Sequence, residues 1–196
     1  MGSDLQWSDL VAARLCHDLG GLAGTLGGCL ELAAEDGSSE AIALAYEAAA
    51  ALTARLRLLR AAWTEQPGPL DAAGLARLAA GLTTDRVSVE VWQLSGVLPA
   101  PRARLVLNLL LLAAEALPRG GQIAASGDAD GELRISAEGP RLGWPVGLVA
   151  ACPAGPQHLL PSLCALLAER AGLALAWDGD PPALVVRGPA AILRTR

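Results

Sequence analysis

Leu15-Cys16-His17-Asp18-Leu19 holds the residues best suited to chemistry in this sequence, an imidazole followed directly by a carboxylate. An exposed imidazole is largely neutral near neutral pH, hence nucleophilic, and its phosphoramidate can hand a phosphoryl group onward. On a helix turning about 100° per residue, His17 lies about 200° from both Leu15 and Leu19, so it points away from the apolar side. Taken alone, such a histidine is an ordinary surface residue. Arg14 sits one turn earlier on the same face. There its guanidinium is placed to meet an acidic pocket on a partner or to steady phosphoryl oxygens, with a generic surface arginine as the alternative. Counting from His17 by threes and fours adds Gly20, Gly21, Gly24 and Gly28 to that face. Each costs about 1 kcal/mol relative to alanine in a helix, so four on one stripe call for a reason. Either another helix approaches closely, or bulk is excluded so that a partner reaches His17. The second reading is favoured, because the apolar seam lies on the opposite face.

Helices must position these side chains. Leu15, Leu19, Leu22, Leu26, Cys29 and Ala33 recur at alternating steps of four and three. Ile42, Ala45, Ala49, Leu52, Leu56, Leu59 and Trp63 repeat the rhythm after the Asp36-Gly37 turn, with Ser38 or Ser39 as helix cap. Two such stripes joined by a short turn make an antiparallel hairpin. One hairpin leaves apolar surface wet, and pairing two of them in a symmetric homodimer makes a four-helix bundle.

The pattern changes at Thr64-Glu65-Gln66-Pro67-Gly68-Pro69, which divides a helical unit over 1–65 from a second unit over 70–196. In the second unit the spacing predicts helices over 71–81, 101–117 and 158–171. It predicts strands over 87–92, 122–126, 132–137, 173–177 and 183–187. The expected fold class is therefore α+β: a helical hairpin that dimerises into a bundle, followed by an α/β sandwich with helices over one face of a sheet.

Composition excludes several alternatives. All fifteen basic residues are arginine, the net charge is −5 and no basic stripe exists, which argues against a nucleic-acid partner. Cys16, Cys29, Cys152 and Cys164 form no CxxC pair, so neither a zinc site nor a disulfide framework is expected, and reduced thiols fit a cytoplasmic location. The uncharged run 142–168 is broken by Pro145, Pro153, Pro156 and Pro161 into pieces too short for a membrane span.

The His17 segment, together with Gly28-Cys29-Leu30-Glu31-Leu32, resembles the dimerisation helix of sensor kinases. It is more closely similar to the ChpT-type bacterial histidine phosphotransferases. The resemblance implies a dimeric bundle that accepts phosphate on His17 from the receiver domain of a hybrid kinase and delivers it to response regulators. It implies that Asp18 hydrogen-bonds the imidazole and promotes its nucleophilicity, and that Arg14 meets the receiver. Mg²⁺ is then expected on the receiver side, with no metal or cofactor on this chain. Leu22 stands where the family usually has proline, which removes an expected kink, and Gly27 and Gly28 stand where asparagines are common.

The second unit resembles a degenerate GHKL-type ATPase domain. Leu105-Val106-Leu107-Asn108-Leu109-Leu110 is similar to the kinase N-box helix, but Leu112 replaces the second asparagine that holds Mg²⁺. Ala137 lies near where an adenine-reading aspartate belongs, and no GxGxxG follows. Asn108 is then a structural remnant, His158 is read as structural, and nucleotide binding is not expected. Two other functions remain open to sequence reading: an ATP-dependent histidine kinase, and a non-catalytic dimeric scaffold in which His17 is incidental.

Overall fold

The computed structural model describes residues 2–64, 67–145, 147–148 and 151–188; Glu65 and Gln66 of the expected linker lie outside them. Two helices, α1 (Gly2–Asp36) and α2 (Ser39–Trp63), form the antiparallel hairpin. No proline falls within α1, so nothing interrupts its backbone ladder, and it runs unbroken through Leu22. Gly37 makes the turn at φ +62°, and the Ser38 hydroxyl accepts the Ala41 N–H at 3.3 Å to start α2.

On α1 the whole stripe from Leu15 to Ala33 is half-buried. The stripe expected on α2 is divided. Ala41, Ala45, Ala48, Leu59 and Ala62 are buried, whereas Ile42 and Leu56 are each 45% exposed. Alanines let the helices approach closely, and the apolar band on α2 is wider than a single neighbouring helix can cover.

The second unit opens with α3 (Ala72–Ala79), capped by Asp71, whose carboxylate accepts the Gly74 N–H at 2.7 Å. It continues through β1 (Val87–Ser95), α4 (Ala100–Glu115), β2 (Gly121–Asp128), β3 (Leu133–Glu138), α5 (Leu159–Arg170), β4 (Ala174–Asp178) and β5 (Ala183–Arg187). The strands lie in the order β1-β2-β3-β5-β4. Only β1 and β2 run parallel, because α4 carries the chain across between them; the other neighbours are antiparallel. Their register starts at Val87 opposite Gly121, where φ is +149° and a side chain would strike the Glu138 carbonyl.

The core lies between one face of this sheet and α4. Leu133, Ile135 and Ala137 point inward from β3, while Arg134 and Ser136 alternate to the other face. Leu105 to Ala113 of α4 are all buried, as expected of a helix that is apolar all round and touches α2, α3, α5 and the sheet. Among the described residues, no helix is long and apolar enough to cross a membrane.

Candidate functional site

His17 lies near the middle of α1 with its side chain 87% exposed. Gly20, Gly21 and Gly24 follow it as exposed positions, and Gly28 is half-buried. A Cβ built at any of the four meets no atom within 4 Å, so each position has open space for a side chain.

Asp18 is turned about 100° further round the helix. That rotation takes it into the groove between α1 and α2, where its side chain is only 5% exposed. Its Oδ1 accepts the Arg14 Nε–H at 2.9 Å and lies 3.3 Å from His17 Nδ1. Its Oδ2 faces Arg55 Nη2 of α2 at 3.7 Å. The imidazole contact is therefore present but long, and the nearest partner of the carboxylate is Arg14. A buried anion is tolerable here because two guanidinium groups offset its desolvation.

Arg14, which sequence reading turned toward a partner, is half-buried and bonded to two carboxylates of its own chain. Besides Asp18, its Nη1 donates to Glu115 Oε1 at the end of α4. Arg55 in turn donates from Nη1 to the Gly81 carbonyl at 3.4 Å. Burial pushes the Arg55 guanidinium below its usual pKa, and the charge of Asp18 partly restores it. Sequence reading missed both Arg55 and Glu115. Arg55 carried a usable signal: it lies on the α2 face that holds Leu52, Leu59 and Ala62, and a charged residue there needs a partner. Glu115 carried none, being 101 positions from Arg14 in sequence.

The arrangement has a definite chemical consequence. In the tautomer that donates Nδ1–H to the Asp18 carboxylate, the imidazole lone pair resides on Nε2, the ring atom facing away from that contact. Nε2 is then the ring atom open to an electrophile, and a carboxylate at Nδ1 can stabilise positive charge on the ring.

The residues of the kinase-like helix do not fit a Mg²⁺-nucleotide. Asn108 is fully buried, donating to the Ala62 carbonyl at 3.0 Å and the Arg104 carbonyl at 2.9 Å. Its Oδ1 accepts the Trp63 indole N–H at 3.0 Å. Leu112 and Ala137, both buried, offer no donor or acceptor on their side chains. A cleft of about 720 Å³ opens beside α4, lined by Leu112, Glu115, Ala116, Gly143, His158 and Pro161. His158, read as structural, is exposed at its wall.

The family of histidine phosphotransferase C-terminal domains matches residues 71–182. The protein phosphotransferase ChpT of Brucella abortus (strain 2308) is 30% identical over 189 residues, covering 89% of this chain and 90% of that protein. A solved bacterial phosphotransferase superposes with a TM-score of 0.73 at 27% identity, covering 93% of this chain and 95% of the other.

Proposed function

The chain belongs to the histidine phosphotransferase family, and from that premise we propose that it shuttles phosphoryl groups between receiver-domain aspartates through a phosphohistidine at His17. The observation that carries the reading is the exposed imidazole whose Nδ1 faces a carboxylate held on the inner side of the same helix. In the forward step Nε2 attacks the phosphorus of the aspartyl phosphate, the new N–P bond forms and the acyl O–P bond breaks. The receiver carboxylate leaves with that electron pair, and the proton on Nδ1 stays directed at Asp18. The reverse sequence delivers the group to the next receiver. Such transfer depends on alignment and charge neutralisation, so the part of this chain is to hold His17 and Asp18 in position. Mg²⁺ belongs to the receiver.

The partners are receiver domains, of a hybrid kinase on one side and of response regulators on the other. They dock on the face of Gly20, Gly21, Gly24 and Gly28, where the absence of side chains lets a receiver bring its aspartate to His17. Arg14 borders that face while anchoring Asp18. The working unit is a homodimer. Of the eight large apolar side chains most exposed among the described residues, seven (Leu5, Leu30, Leu32, Ile42, Leu44, Tyr46 and Leu56) lie on α1 and α2, which is where a second hairpin would cover them. Nucleotide plays no part: the Asn108 amide is spent on α2 and α4, and Leu112 cannot coordinate a hard cation.

The test is to incubate the purified chain with a receiver domain carrying labelled aspartyl phosphate, with Mg²⁺ and without ATP. The label should move to the chain and back to a second receiver. Mg-ATP alone should label nothing. Labelling by ATP would establish a kinase, and no labelling by the receiver would leave a scaffold.

A further inference from the structure

The geometry points to Arg55 and Glu115 as positioning residues for the transfer, which together fix the Asp18 carboxylate so that Oδ1 stays beside His17 Nδ1. Neither touches His17, and the inference rests on the reading of His17 as phosphoacceptor.

A carboxylate turns easily about its last bond, since that torsion has broad wells. Asp18 is nonetheless addressed from two sides. Arg14 holds Oδ1 at 2.9 Å, and Arg55 reaches across from α2 to face Oδ2 at 3.7 Å. Oδ2 is buried and has no hydrogen-bond partner among the described residues. Asp18 borders a cavity of about 430 Å³, lined also by Thr25, Cys29, Glu47 and Asp85. Among the described residues, Arg55 alone stands opposite Oδ2 as a counter-charge, while Glu47 and Asp85 on the same cavity are anionic. Without that arginine the carboxylate is held at Oδ1 alone and has space to rotate about that contact.

Each arginine is itself anchored in the second unit. Arg14 Nη1 is bonded to Glu115 on α4, and Arg55 Nη1 to the carbonyl of Gly81 in the turn after α3. The second anchor needs a glycine, because a Cβ at Gly81 would lie 2.6 Å from the Ala54 carbonyl of α2. The four charges, Asp18 and Glu115 against Arg14 and Arg55, balance. The α/β unit thus reaches the phosphoacceptor through two arms that converge on one carboxylate. This gives the degenerate domain a chemical role that needs no nucleotide.

The test uses the full chain with Arg55→Gln, Arg55→Lys and Glu115→Gln. The ring ¹⁵N shifts of His17 read the share of Nδ1–H tautomer at fixed pH, labelled receiver gives the transfer rate, and melting gives stability. Arg55→Gln should move the ring toward the Nε2–H form that free histidine favours. It should slow transfer about tenfold or more, the lower end of the loss seen when the outer partner of a metal-bound histidine is removed. Arg55→Lys should restore most of both, and Glu115→Gln should shift both in the same direction by less. An unaltered ring spectrum in Arg55→Gln overturns the proposal, as does a slowed rate that Arg55→Lys fails to rescue or that only follows melting. Should Arg55→Gln not fold, Glu115→Gln and Arg55→Lys decide it by the same readings. If the unaltered chain takes no label on His17, the phosphotransfer reading fails separately, while the ring spectrum still tests the clamp.

Discussion

Trp63 donates its indole N–H to Asn108 Oδ1 at 3.0 Å, so the last turn of the hairpin is joined to α4 by the asparagine that resembles a nucleotide-site residue of kinases. The same side chain donates to the carbonyls of Ala62 and Arg104. Replacing Asn108 by Ala removes all three bonds and leaves the Trp63 indole N–H without its partner, while the Ala62 carbonyl keeps the Arg104 Nε–H at 3.1 Å; the change should cost about 1–3 kcal/mol of stability. Urea unfolding measures it. A variant as stable as the unaltered chain would show that Asn108 does not join the two units.

The glycine stripe gives a prediction in which stability and activity separate. Gly21→Ala should stabilise α1 by up to about 1 kcal/mol, since a Cβ there meets nothing within 4 Å. Gly24→Leu should leave melting nearly unchanged and block transfer by holding the receiver off His17. If Gly24→Leu transfers at the unaltered rate, or melts far lower, the stripe is not a docking face.

Dimerisation is tested at Leu56, which is 45% exposed in the single chain. Leu56→Asp leaves the charge wet in a monomer but buries it in a bundle, at a cost of several kcal/mol. Light scattering should report a monomer that has kept its helical content. A variant that stays dimeric places the interface elsewhere.

Burial pushes the Cys164 thiol well above its ordinary pKa, whereas Cys16, beside His17, is exposed. Iodoacetamide should modify Cys16 in the native chain and reach Cys164 only in denaturant. Early modification of Cys164 would indicate that α5 opens from the sheet.

The fold was legible where periodicity was strong. The 4-3 stripes located both hairpin helices, and proline and glycine marked the bounds of α4 within two residues. The inner face of α2 was less legible: Ile42 and Leu56 share the apolar period of Ala45 and Leu59, and only the angle of packing decides which of them α1 covers. The exposure of His17 was legible, because its place two residues from both Leu15 and Leu19 turns it from the apolar side. The surroundings of Asp18 were not, since Glu115 and Gly81 come from distant segments and only the folded chain brings them to Arg14 and Arg55. Arg14 shows the limit most plainly, because helical spacing gives its face but not the carboxylates it binds.

The most direct test of the central claim locates the phosphoryl group itself. After transfer from a labelled receiver, an acid-labile, alkali-stable label should map to the peptide containing His17. The His17→Ala variant should take no label while its circular dichroism and dimer mass stay unaltered. Full labelling of a folded His17→Ala variant, or a label mapped to another residue, would contradict phosphotransfer through His17.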